Sequence, residues 1–146
     1  MKIALAAALL LCVPFLSFRA DEDRTAVERA ATNYVEAIYS CKPELIERSV
    51  DAELHKLGTY RPADADDYGP FQPMTYDQLV RIAERWNADG KRGDDLEFEV
   101  EILDLLDRTA SVKLTADWGI DYMHLIKQGK TWKIRQILWQ SHPPAQ

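Results

Sequence analysis

Leu96-Glu97-Phe98-Glu99-Val100-Glu101-Ile102 alternates apolar and acidic side chains, and Ala110-Ser111-Val112-Lys113-Leu114-Thr115-Ala116-Asp117-Trp118 repeats the alternation. A period of two sends successive side chains to opposite faces of an extended chain, so each stretch predicts a strand with one apolar face. Tyr122 to Lys127 predicts a third strand, Gln128-Gly129-Lys130 a hairpin turn, and Trp132 to Trp139 a fourth strand. Connections this short join antiparallel neighbours, because a parallel pair needs a long crossover.

Upstream, the period changes to that of a helix. Val27, Ala30, Ala31, Tyr34 and Ile38 recur at three and four residues, and Thr25 with Glu28 has capping-box spacing, which predicts a helix over 24–40. Pro43-Glu44 opens a short second helix with Leu45, Ile46 and Val50 on its apolar face. A short strand is expected within Leu54 to Tyr60, followed by a proline- and aspartate-rich loop from Arg61 to Met74. Thr75 and Gln78 repeat the capping-box spacing before a third helix carrying Leu79, Ile82, Ala83 and Trp86, and Gly90 and Gly93 end it. Helices followed by a run of strands define an α+β class, with the helices gathered on one face of the sheet.

The chain has 146 residues, 47% of them hydrophobic and 29% charged, which suits one domain with a substantial core and excludes a disordered chain. A net charge of −6 argues against a nucleic-acid partner, which needs a positive face for phosphates. Met1-Lys2 precedes an apolar run from Ile3 to Phe18, then Arg19-Ala20 and three acids; this is the layout of a cleaved signal peptide over residues 1–20. The run is short for a bilayer span, so residues 21–146 are expected as a single exported domain, periplasmic or extracellular, without stable membrane insertion. Loss of Lys2 and Arg19 leaves 16 basic against 24 acidic side chains, a net charge of −8. Cys41 is then the one cysteine, read as a small residue at the end of a helix.

Trp118-Gly119-Ile120-Asp121-Tyr122-Met123-His124-Leu125, Gly129-Lys130-Thr131-Trp132-Lys133-Ile134 and Ile137-Leu138-Trp139-Gln140-Ser141-His142-Pro143 resemble the putative lumazine-binding, SnoaL-like branch of the nuclear transport factor 2-like superfamily. Ile46-Glu47-Arg48-Ser49-Val50 and Thr75-Tyr76-Asp77-Gln78-Leu79 resemble it too, so the likeness spans residues 25–143. It implies a cone-shaped fold, with the amino-terminal helices packed on a curved antiparallel sheet, and a ligand place inside the cone. Asp51-Ala52 stands where that branch often has a His-Pro pair, so a role resting on that histidine has no bearer here.

Candidates for the pocket lining are Tyr34, Tyr60, Trp86, Trp118, Tyr122 and His124, with Trp132 and Trp139 as further aromatics. Packing in the core is the competing role for every aromatic among them. Tyr122 and His124 lie two apart on one strand beside Ile120 and Ile126, which would turn both towards the interior. Asp121 then faces the opposite way, to cap a turn or join a rim. No cofactor is implied. Asp64, Asp66 and Gly69 begin like a calcium loop, but Tyr68 and Thr75 occupy later ligand positions, so no metal is expected.

The function expected is an exported small-molecule-binding or accessory protein taking a small apolar or aromatic ligand. One alternative is a cofactor-independent isomerase, dehydratase or cyclase using a pocket carboxylate or His124; another is an interaction module with a filled cone. A homodimer is expected, its contact on the strand face carrying Ile137 and Trp139.

Overall fold

The computed structural model describes residues 13–93 and 95–144. The chain runs α1 (Val13–Tyr39), α2 (Glu44–Ser49), β1 (Val50–Thr59), β2 (Gln72–Met74), α3 (Tyr76–Arg85), β3 (Glu99–Leu105), β4 (Thr109–Ala116), β5 (Gly119–Gln128) and β6 (Thr131–Gln140). One curved six-stranded sheet has the order β2-β1-β6-β5-β4-β3, antiparallel except where β1 runs parallel to β6. The parallel pair is possible because the β2, α3 and β3–β5 segments lie between the two strands in sequence.

Two helix starts behave differently. Thr75 caps α3 as its spacing predicts: its hydroxyl accepts from Gln78 N–H, and Gln78 Oε1 accepts from Thr75 N–H at 2.8 Å. Thr25 caps nothing, because α1 runs through it from Val13, and its hydroxyl instead donates to Asp21 O four residues back. Residues 1–12 of the expected signal segment lie outside the described residues, and residues 13–20 continue α1.

The core fills the space between α1, α3 and the inner sheet face. From α1 it takes Val27, Ala31, Tyr34, Val35 and Ile38; from β4, Ala110, Val112 and Leu114; from β5, Met123 and Leu125. The β4–β5 hairpin sets this phase, since Ala110, Val112 and Leu114 stand opposite Leu125, Met123 and Asp121. Cross-strand partners share a face, so the inward β4 residues carry their β5 partners inward with them. Gly119 makes the tight turn possible: its φ of 143° is disfavoured for side-chain-bearing residues, and a Cβ there would lie 2.0 Å from Gln140 O.

β6 changes phase half-way. His124 stands opposite Gln136, yet Leu125 stands opposite Ile134, which leaves Arg135 as an extra, bulged residue. The bulge is why Trp132 and Ile134 point inward before it and Ile137 and Trp139 point inward after it. Arg135 itself turns out to Asp51 Oδ1 at 2.9 Å and to Glu53.

The amino-terminal half of α1 is clasped to the β5–β6 hairpin. Asp23 accepts from Lys127 Nζ at 2.5 and 2.7 Å and from Trp132 Nε1 at 2.9 Å. Burial opposes the charge on Asp23, but those hydrogen bonds and the positive charge of Lys127 outweigh it and hold the carboxyl below its ordinary value. A carboxyl lowered by folding contributes stability above its unfolded pKa and loses it as pH falls through the lower, folded value. Asp23→Asn is therefore less stable than wild type at pH 7, and the gap narrows as the pH drops below about 4. Urea unfolding of both proteins at pH 7 and in that acidic range measures it.

Candidate functional site

β1 alternates with an unusual phase. Leu54, Lys56 and Gly58 face inward while His55 and Leu57 face out, so a lysine lies 5% exposed beneath a leucine left 41% exposed. The reason stands two strands away. Asp121, opposite Leu114, is fully buried, and Lys56 Nζ meets its Oδ1 at 2.9 Å. A buried carboxylate demands a cation and hydrogen bonds, and here it has both.

The network extends through α1 and the β4–β5 turn. Lys56 Nζ donates to Tyr34 Oη at 2.7 Å, Tyr34 Oη donates to Asp121 Oδ1 at 3.5 Å, and Trp118 Nε1 donates to Asp121 Oδ2 at 2.6 Å. Both carboxylate oxygens are occupied. Burial first, then the charge and hydrogen bond of Asp121, push the Tyr34 phenol well above its usual pKa, so it remains a neutral donor.

In front of this network lies a cavity of about 110 Å³, walled by Lys56, Tyr34, Trp86, Trp118 and Trp139, with Met74 and Ile82 among its apolar residues. Met74, Ile82 and Trp86 also line an outer hollow bearing Arg81 and Arg85, which places the approach between β2 and α3. The walls are braced from behind. Trp86 stacks on Tyr39 at 5.4 Å between ring centres, Trp118 meets Trp86 edge-on at 5.6 Å, and the Arg92 guanidinium covers the outer side of Trp86 at 4.2 Å. Asn87 holds the turn that delivers Arg92, donating to Tyr39 O and Gly93 O and accepting from Arg92 N–H.

Trp139 reaches its place because Gly58 is opposite it on β1. A Cβ on Gly58 would fall 1.8 Å from Trp139 Nε1, so the indole lies directly across the glycine. It also passes under the ammonium, 5.4 Å from Lys56 Nζ to the ring centre.

Of the residues expected at the site, Tyr34, Trp86 and Trp118 line the cavity. Tyr60, Tyr122 and His124 do not. Tyr60 is 57% exposed beyond the end of β1, and Tyr122 is 48% exposed on the outer face, where His124 pairs with Gln136 at 3.2 Å. The inward β5 residues are Asp121, Met123 and Leu125. Taking Ile120 and Ile126 as the guide inverted the strand; the register from inward Leu114 gives the right face. The dimer face is likewise corrected, since Ile137 is 2% exposed in the core and Trp139 lines the cavity. Nothing in the local pattern marks Lys56, because a charged residue in a short strand reads as solvent-facing. Among the described residues no group of three His, Cys, Asp or Glu side chains is placed to hold a metal ion.

Residues 22–140 match the family described as putative lumazine-binding. The chain belongs to that family. No curated protein matches it. Among solved structures, a nuclear transport factor 2-like protein of unknown function from Silicibacter pomeroyi is 15% identical with a TM-score of 0.68, over 84% of this chain and 98% of that one. A second such protein from Shewanella baltica is 13% identical with a TM-score of 0.63, over 85% and 97%. A putative dehydratase of the same fold family from Streptomyces avermitilis is 14% identical with a TM-score of 0.57, over 86% and 99%. At these identities the likeness establishes the nuclear transport factor 2-like fold for this putative lumazine-binding family member.

Two substitutions test the geometry. Gly58→Ala drives the Trp139 indole off β1, destabilises the fold by about 1–3 kcal/mol in urea unfolding and shifts the tryptophan emission. Lys56→Met leaves Asp121 buried without its cation and costs about 3–5 kcal/mol, most of which the double variant Lys56→Met/Asp121→Asn recovers.

Proposed function

We propose that this protein is an exported small-molecule-binding protein whose ligand occupies the cavity between Lys56 and the three tryptophans. The observation that carries the reading is an apolar, aromatic-walled hollow backed by a completely buried ion pair with its hydrogen bonds in place. Such a site offers contact area from rigid rings and a small number of fixed polar groups, the usual make-up of a ligand pocket. At about 110 Å³ it is smaller than the apolar cavity of about 150 Å³ that accepts benzene, but it continues into the outer hollow at Met74, Ile82 and Trp86, so its occupant is at most a compact, single-ring molecule reaching out between β2 and α3. The family description, with its reference to lumazine binding, supports a small ligand as well.

Binding is favoured over turnover because the cavity lacks a free base among the described residues. Asp121 spends both oxygens on Lys56, Tyr34 and Trp118, Asp117 pairs outside with Arg92, and His124 is on the other face of the sheet. A general base has to reach the proton it removes. The filled-cone reading is disfavoured by the hollow itself. Export rests on the residue pattern of 1–20, and among the described residues no helix is long and apolar enough to cross a membrane.

We further propose a homodimer through the outer sheet face, where Leu57, Leu138 and Tyr122 are neighbours on β1, β6 and β5 and each is 41–50% exposed. Light scattering should give twice the chain mass for wild type and a monomer for Leu138→Asp; an unchanged dimer in that variant moves the contact elsewhere. For the pocket, Ile82→Trp fills the hollow from α3. Native mass spectrometry of wild type purified from its source is expected to show a bound small molecule, absent from folded Ile82→Trp; a bound molecule kept by that variant refutes this location.

A further inference from the structure

We infer that the pocket selects a neutral, flat, single-ring molecule bearing a carbonyl oxygen, which takes the third N–H of Lys56. The inference rests on the reading of the cavity as a ligand site and names the chemistry of its occupant. An ammonium group has three protons to donate. Lys56 Nζ gives one to Tyr34 Oη at 2.7 Å and one to Asp121 Oδ1 at 2.9 Å, and among the described residues no third acceptor is within reach. What the remaining proton has beside it is the Trp139 ring, 5.4 Å from Nζ to its centre, and the cavity that Lys56 itself lines. With its side chain 4% exposed, Lys56 has little water to complete its shell.

Charge decides which acceptor fits. Asp121 already balances the ammonium, so a carboxylate entering the pocket would leave a net negative charge in a site walled by indole and aliphatic groups. Burying an unbalanced ion is costly, whereas a carbonyl oxygen gives up little hydration to enter and accepts a charge-assisted hydrogen bond. Shape points the same way. Trp86, Trp118 and Trp139 are rigid, flat rings among the lining residues, which favours a planar partner.

The test titrates the full-length protein with benzaldehyde, toluene and benzoate, following tryptophan fluorescence and heat. The expected result is that wild type binds benzaldehyde about tenfold to a hundredfold more tightly than toluene, the span of a hydrogen bond to a charged group. Benzoate binds more weakly than benzaldehyde. In Lys56→Met/Asp121→Asn the preference for benzaldehyde over toluene disappears, so that the ratio of the two affinities, rather than either affinity alone, reports loss of the donor. In the wild-type complex the benzaldehyde carbonyl stretch moves to lower frequency, a readout that holds even if the double variant does not fold. Equal affinity for toluene and benzaldehyde in wild type, a preference that survives in the double variant, an unshifted carbonyl stretch or benzoate as the tightest ligand each overturns the inference and leaves the cavity as a ligand site. Failure of all three compounds to bind wild type overturns the ligand-site reading itself.

Discussion

The ion pair between Lys56 and Asp121 is the constraint around which this domain is arranged. It joins β1 to β5 across β6, and through Tyr34 it joins both strands to α1, so one buried contact registers three separate elements. Taking two charges out of water is expensive, and a pair of apolar residues of equal volume would often serve stability as well or better. Its value lies in specificity. With Tyr34, Lys56, Trp118 and Asp121 hydrogen-bonded to one another, a slip of β5 by one residue would put Asp121 outside and strand Lys56 in the core.

That constraint also explains what the amino-acid sequence discloses and what it conceals. The strand positions from β3 onward, the capping box at Thr75, the turn at Gly129 and the α+β class follow from local periodicity, because each is enforced by near neighbours. The facing of β5 is different. Ile120, Tyr122, His124 and Ile126 form one alternating set and Asp121, Met123 and Leu125 the other, and apolar character alone does not separate them. The decision is made by β4 across the hairpin, and the pairing of Leu114 with Asp121 carries an acid into the core. Lys56 was hidden for the complementary reason, since its burial makes sense only once Asp121 is inside. Pairing the hairpin before assigning faces would have exposed both.

The continuous helix from Val13 and the β6 bulge were concealed by longer-range causes. Thr25 looked like a helix start because its spacing to Glu28 fits one, yet Asp23, two residues before it, is held to Lys127 and Trp132 in helical geometry. On β6, simple alternation from Trp132 would have sent Trp139 outward, and the extra residue at Arg135 returns it to the interior. A bulge of this kind re-aims a side chain, and here the side chain is a wall of the cavity.

Gly58 and Arg135 thus act on the same ring from two strands. The bulge turns Trp139 in, and the missing side chain on Gly58 lets the indole lie across β1, where it forms one wall of the hollow. A larger residue at 58 would push the indole into the cavity and fill it. The cavity therefore exists because the core is left incomplete at one point while every polar group around that point is paired, save the one ammonium proton of Lys56 that has no protein acceptor among the described residues. Closing such a hollow with one more apolar side chain would be the simpler route to a stable core, and it is this incompleteness beside a buried cation on which the proposal of a bound ligand rests.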